Sequence, residues 1–213
     1  MSFFVTNKGG EFERCPAGVH LARCYRIVDL GTQKSEYMGQ AKFLHKVMIG
    51  WEIHGTDDSD KPIRMADGRP FAVFKNFTLS WSENSNLRKS LQQWRGKPFS
   101  PEEMRKFDLE SILGVWAMLS IVESQGNDGK TYTNVDSITP VPAVIRKQGL
   151  PPGVNKVEMF SLEEPDMTLF ETFSDNLKAR IQSSPEWMKL DVKQFPSRTS
   201  VPEPLEEEED IPF

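Results

Sequence analysis

Cys15, His20 and Cys24 lie within ten residues of one another, and thiolates with an imidazole are common zinc ligands. Their spacing fits no standard zinc site and Pro16 to Gly18 interrupts it, so an unliganded strand edge is expected. Asp57, Asp58 and Asp60 bring three carboxylates together, in principle enough to hold a divalent cation for phosphodiester cleavage. Set in a polar loop from Gly55 to Gly68, the same acids also read as a plain solvated turn. His45 and His54 are nine residues apart, on opposite faces of one strand, and make no pair. The sequence contains no Gly-x-Gly-x-x-Gly, no P-loop and no Cys-x-x-Cys. No catalytic set emerges, and the expectation is a non-enzymatic protein that needs no cofactor or metal.

The other chemically distinctive stretch is Glu206 to Phe213, EEEEDIPF. An acidic run buries too little apolar surface to fold, so it should be a solvated arm. Glu206 to Glu209 alone read as a solubilising tail. The tip differs in kind: Pro212 restricts the backbone, Ile211 and Phe213 are apolar anchors, and a terminal carboxylate adds a fixed anion. A pocket with a basic rim can capture such an end. Asp210, Ile211, Pro212 and Phe213 resemble the C-terminal tip of bacterial single-stranded DNA-binding proteins, which implies a site for partner proteins.

The formal net charge of −5 would disfavour a polyanion partner if it were spread evenly. It is segregated. Residues 199–213 hold six acids and no lysine or arginine, leaving 26 basic against 25 acidic side chains in residues 1–198, a net of +1. Residues 1–150 carry +3 and residues 151–198 carry −2. Such segregation steers a polyanion to one end and a basic protein to the other, although the excess of +3 is small. No apolar run is long enough for a membrane span. Met1 to Lys8 lacks a secretory layout, and two cysteines give no disulfide framework. A reduced cytoplasmic setting follows as the expectation.

The elements that must position any site are mostly strands. Val19 to Leu30 reads as a first strand closed by Gly31, and Phe43 to His54 as a second. In the latter Phe43, Val47, Ile49, Trp51 and Ile53 recur at period two, leaving Lys46, Glu52 and His54 opposite. Phe71 to Leu79 is a third strand. The period then changes. Leu87, Leu91 and Trp94 share a helical stripe ended by Gly96, Ser100-Pro-Glu-Glu103 is a helix start, and Leu109 to Leu113 is a short helix stopping at Gly114. Val115 to Glu123 and Tyr132 to Val141 form a hairpin about a Gly-Asn-Asp-Gly turn. Beyond Pro140, Pro142, Pro151 and Pro152, an extended connection leads to a capping box at Thr168 to Glu171. One helix follows, with Phe170, Phe173, Leu177 and Ile181 docking on the body. The expected class is mainly β. Its expected form is a five-stranded OB-fold barrel with a helical insertion between strands 3 and 4, a C-terminal helical extension and a disordered acidic tail. The corresponding divisions are 1–148, 149–193 and 194–213.

Phe77-Thr-Leu-Ser80, Asn86-Leu-Arg-Lys89, Trp94-Arg-Gly96, Phe99-Ser-Pro-Glu-Glu103, Phe107-Asp-Leu109 with Leu113-Gly114, and Tyr132 to Pro142 are similar to a family of phage-encoded single-stranded DNA-binding proteins. The resemblance covers residues 15–145 and rests mostly on packing and capping signals. It implies a protein that coats single-stranded DNA in replication, recombination and repair, in the cytoplasm of a bacterial host. The tip would recruit host replication and repair proteins, and a homo-oligomer is allowed.

Binding without sequence preference needs cations along the backbone and ring faces for bases. On strands 1 to 5 and the first loop, Arg23, Tyr25, Lys34, Lys42, Lys46, Trp51, Lys75, Phe77, Trp116 and Tyr132 are the candidates. Lys75 and Phe77 should share a face, as should Arg23 and Tyr25, while Trp116 opposes the core set of its strand. Phe77, Tyr25 and Trp51 are equally readable as core. Two other classes stay open: a decoy that occupies host pockets without touching DNA, and a metal-dependent nuclease using Asp57 to Asp60.

Overall fold

A computed structural model describes residues 13–37, 39–57, 61–126 and 129–190. The tip Asp210 to Phe213, the acidic run before it and Asp58 and Asp60 lie outside the described residues.

Alternating apolar residues and glycine turns produce a mainly β architecture. Its strands are β1 (Gly18–Tyr37), β2 (Gln40–Ile53), β3 (Ala72–Thr78), β4 (Trp116–Gln125), β5 (Thr131–Thr139) and β6 (Glu158–Phe160). They form one sheet in the order β3-β2-β1-β4-β5, antiparallel along that path, with β6 added parallel to β1. The 20 residues of β1 serve two neighbours on one edge, β4 over Gly18–Arg23 and β6 over Arg26–Val28. The end strands β3 and β5 approach each other, and Lys75 Nζ donates to the carbonyls of Val135 (2.8 Å) and Asp136 (3.1 Å).

Gly31 does not end β1, as its residue type suggested. The strand shifts register between Asp29 and Gly31 and continues to Tyr37, pairing with Gln40 in β2. Gly31 sits at φ +65, where only glycine is unstrained, and its N–H donates to Asp29 Oδ1 at 2.8 Å. The rest of β1 and the start of β2 form a two-stranded arm outside the main core. Phe43, expected in that core, pairs with Lys34 on the arm and is 67% exposed.

One face of the sheet, here the inner face, carries Ala22, Cys24, Ile27, Val47, Ile49, Trp51, Ile53, Val73, Phe77, Ala117, Leu119, Ile121, Val135 and Ile138. The insertion between β3 and β4 closes it: α1 (Asn86–Arg95), α2 (Pro101–Lys106) and a 3-10 turn (Leu109–Ile112). Ser85 caps α1, Gly96 ends it at φ 72, and the helix buries Leu87, Leu91 and Trp94. Each buried leucine contributes about 1.5–3 kcal/mol. Trp94 meets Trp51 at 5.9 Å between ring centres and donates its indole N–H to the Trp116 carbonyl at 3.0 Å. Ser100 and Glu103 complete the capping box of α2 in both directions.

The opposite, outer face holds a second core. Val28, Leu30 and Met48 are covered by Phe160, Leu162, Leu169, Phe170, Phe173 and Ile181. The expected single C-terminal helix is instead three short ones after α3 (Ala143–Gln148): α4 (Met167–Glu171), α5 (Asp175–Gln182) and α6 (Pro185–Lys189). The cap of α4 is Asp166, which accepts from the Thr168 and Leu169 N–H groups, so Thr168 is not a cap. Ser174 and Ser184 restart the chain as caps of α5 and α6, and Pro185 suits only a first turn. The docking stripe nonetheless holds: Phe170, Phe173 and Ile181 are buried, with Leu177 packed against them.

Candidate nucleic-acid interface

Alternation along β3 sends Val73, Lys75 and Phe77 inward and leaves Ala72, Phe74 and Asn76 exposed on the outer face. The C-terminal helices cover the outer face over Val28, Leu30 and Met48 but leave this edge open. Phe74 is 42% exposed and pairs in register with Gly50 of β2. A Cβ at position 50 would lie 2.5 Å from Phe74 Cε1, so the ring lies directly over the glycine backbone. Tyr25 meets it edge-on, 6.2 Å between centres at 61°. The Arg26 guanidinium stands over the Tyr25 ring at 5.4 Å and bonds Glu158 at 2.9 and 2.6 Å. Further along β2, Lys46 faces out and donates to Thr78 Oγ1 at 2.7 Å. Phe74 thus offers a seated aromatic face with a flanking tyrosine, the Arg26 guanidinium behind that tyrosine, and Lys46 four residues along β2 from Gly50.

Several candidates from the sequence occupy other roles. Trp51 is 0% exposed and Phe77 2%, both in the inner core, so neither has a ring face for a base. Tyr25 is the extra residue at the register shift between Cys24 and Arg26, is 6% exposed, and acts as the flank of Phe74. Lys75 and Phe77 do share a face, but it is the inner one. The ammonium there stands 5.7 Å from the Phe77 ring centre and is bonded to β5 carbonyls. Burial lowers the Lys75 pKa, partly offset by Asp136. Trp116 is half-buried on the outer side of β4, with the His54 ring edge-on at 4.9 Å. Lys34 and Lys42 are exposed on the arm, and Tyr132 is 47% exposed on β5.

Arg23 is held in a buried cluster. Its Nε donates to Glu52 Oε1 at 2.8 Å and its Nη2 to the Asn155 carbonyl. Glu52, 0% exposed, also accepts from the N–H groups of Val154 (3.0 Å) and Asn155 (2.6 Å) and from Asn155 Nδ2 (2.7 Å). His54 Nε2 lies 3.1 Å from Glu52 Oε1, close enough to donate to it. Burial pushes the Glu52 carboxyl up. The donors from Asn155, His54 and Val154 and the Arg23 charge outweigh this and hold its pKa below the ordinary value. A strap formed by residues 153–155 therefore crosses the outer face over Arg23 and Glu52. Gly153 is required there, since a Cβ would overlap the Arg23 guanidinium.

Between α1, α2, the 3-10 turn and α3 lies an apolar pocket of about 790 Å³. Trp94, Phe99, Phe107 and Trp116 line it, and Arg95, Lys106 and Arg146 stand on its walls. Cys15 and Cys24 are buried free thiols, His20 Nε2 lies 2.9 Å from the Pro16 carbonyl, and no metal-holding cluster exists among the described residues. No helix among the described residues is long and apolar enough to cross a membrane.

Sequence reasoning missed Phe74, Phe43 and the Glu52 cluster. The signal for Phe74 was Gly50, a glycine inside an apolar strand, which marks a close approach from a neighbour. The signal for Glu52 was weak, because its partners Val154 and Asn155 lie a hundred residues away and donate mainly through the backbone. No protein-family model matches the chain, and no curated protein matches it either.

Proposed function

We propose that this chain binds single-stranded DNA without sequence preference along the outer face of β2 and β3. One observation carries the reading: the exposed Phe74 ring seated on Gly50 and flanked by Tyr25, with Arg26 and Lys46 on the same face. An aromatic platform beside cations is what such binding requires, and stacking contributes about 1–3 kcal/mol per base. The arm adds Lys34 and Lys42 and the exposed Phe43, which faces Lys34 in register.

The fold proposed with this function is the OB barrel. The strand order β3-β2-β1-β4-β5, the helical insertion after β3 and the approach of Lys75 to β5 support it. In that fold, oligonucleotides bind across strands 2 and 3. The tip from Asp210 to Phe213 is assigned the recruitment of replication and repair proteins in a bacterial cytoplasm, on the sequence resemblance.

Fluorescence anisotropy with a labelled poly-thymidine oligonucleotide tests the reading. Binding should be strong at low salt, weaken as salt rises, and resist competition by duplex DNA. Failure to bind, with residues 205–213 present or deleted, would refute it and leave the decoy reading. Cleavage of the oligonucleotide in magnesium would instead favour a nuclease.

A further inference from the structure

The apolar pocket beside the insertion helices has one wall with no core of its own. Helix α3 buries none of its residues, Val144 on it is 67% exposed, and Pro142 caps it without a side-chain bond. Six residues are too few to hold a helix in water without packing. Trp94, Phe99, Phe107 and Ile112 of the insertion line the same cavity. Phe99 and Phe107 meet edge-on at 4.9 Å, and Trp81 is edge-on to both at 5.2 and 5.3 Å. At about 790 Å³ the cavity lies within the range of about 300–1,000 Å³ usual for a ligand site.

The charges on its walls are unevenly engaged. Arg95 stands over the Phe99 ring at 4.2 Å and pairs with Glu103 at 2.6 Å, while Asp108 Oδ1 accepts from the Glu110 N–H at 2.8 Å. Both wall acids are thus committed within the fold. Lys106 and Arg146 are exposed and make no hydrogen bond or ion pair among the described residues. Rings beside two uncommitted cations suit an apolar segment that carries carboxylates. Residues 205–213, LEEEEDIPF, have that composition and lie outside the described residues. Twenty residues separate Leu190, the last described, from Ile211. Fully extended they span about 65 Å, against a body about 40 Å across, so the segment is long enough to reach the pocket.

We infer that this pocket is the docking site for residues 209–213 of the same chain. Ile211 and Phe213 enter among the rings, and Glu209 and Asp210 lie against Lys106 and Arg146. Pro212 fixes its own φ, so less conformational freedom is lost when the two anchors seat. Their arrival covers the rings and gives α3 the packing it lacks. The tether makes the event intramolecular, at an effective concentration of about a millimolar, so a modest intrinsic affinity suffices. A segment held in this way is withheld from other proteins until it is displaced. The docking stands whether or not the chain binds DNA, since Phe74, Tyr25, Arg26 and Lys46 take no part in the pocket.

The test uses the full chain carrying Ile211→Ser with Phe213→Ser, and a fluorescein-labelled peptide of residues 205–213 as probe. Anisotropy should show the peptide bound by this variant and at least about tenfold more weakly by the parent chain, whose own segment occupies the pocket. A Phe213→Ala peptide should bind the variant at least about tenfold more weakly, as loss of one buried ring requires. Adding Lys106→Glu or Arg146→Glu to the variant should weaken the peptide by about threefold or more, and Arg146→Lys should keep most of the binding. Thermal melts should be unchanged by either reversal, because neither side chain has a partner to lose. Amide exchange across α3 should be slower in the parent than in the variant, and added peptide should slow it again. Peptide binding that is equal in parent and variant would overturn the same-chain occupant, as would α3 protection that rises with protein concentration, the sign of a second copy. Absence of peptide binding by the variant would overturn the site, and reversals that weaken an oligonucleotide but not the peptide would hand these cations to nucleic acid instead.

Discussion

Replacing Glu52 with alanine removes the acceptor that holds the strap at residues 153–155. The carboxylate is fully buried and takes four hydrogen bonds, from Arg23, Val154 and twice from Asn155. Alanine leaves the Arg23 guanidinium, 16% exposed, without its charge partner and orphans two backbone N–H groups. Breaking one side of a buried pair costs about 3–5 kcal/mol, well above the 0–1 kcal/mol of a surface pair. For a chain of this size that corresponds to a melting point lower by about 6–20 °C. Urea denaturation followed by circular dichroism measures the loss, and hydrogen exchange at the Val154 and Asn155 amides tells local detachment from global unfolding. Replacing the pair by Arg23→Met with Glu52→Met should recover only part of the stability, since it removes the unpaired charge but leaves the Val154 and Asn155 N–H groups without an acceptor. A Glu52→Ala loss below about 1 kcal/mol, with unchanged exchange at both amides, would refute the buried-node account.

Phe74→Ala should weaken oligonucleotide binding by about 1–3 kcal/mol with little effect on the urea midpoint, whereas Phe77→Ala should cost about 3–5 kcal/mol of stability as an inner-core truncation. Equal effects of the two on DNA affinity would contradict the assigned faces. His54 is held below its ordinary 6.5, chiefly by burial, and Glu52 below its ordinary 4.5. Both folded values are depressed, so the unfolded chain takes up protons first and stability is lost on acidification. The loss begins below about pH 6.5 through His54 and deepens below about 4.5 through Glu52, and urea midpoints from pH 8 to 4 should fall in that order. Burial pushes the Cys15 thiol up to about 11 and Cys24 to about 12, so a thiol reagent at pH 8 should label both only after denaturant is added. Deleting residues 205–213 should tighten oligonucleotide binding at low salt by removing an internal acidic competitor, and unchanged affinity would exclude that competition.

Much of the element order was legible because local rules wrote it. The Ser100 capping box, the Leu87–Leu91–Trp94 stripe ended by Gly96, and the alternation of Ala117, Leu119 and Ile121 all appear where local chemistry puts them. What misled was the assumption of one apolar and one polar face. Met48 and Glu52 look solvent-directed by parity, yet a second core covers the first and a distant strap covers the other. Lys75 read as a surface cation because a lysine pointing inward has no local sign; its partners are carbonyls on β5, sixty residues on. For the proposed surface, the sequence offered rings and cations on strands, but not the register that decides which of them face outward. Phe74 and Phe77 differ by an odd number, so taking Lys75 as outward pointed to the buried phenylalanine rather than the exposed one.

The parallel pairing of β6 with β1 joins Arg26 to Glu158 and so closes a loop of more than a hundred residues. Contacts that distant in sequence form late and slowly, because the chain must be confined before any compensating interaction appears. On a ribosome, Val28, Leu30 and Met48 emerge long before Phe160, Phe170 and Ile181 exist to shelter them. A nascent chain halted near residue 150 would thus display a greasy patch on an otherwise finished sheet. It is the species on which a chaperone should act and from which aggregation should start. Synthesis of the last forty described residues is then a maturation step in its own right, sealing that patch as the strap and α5 settle into place.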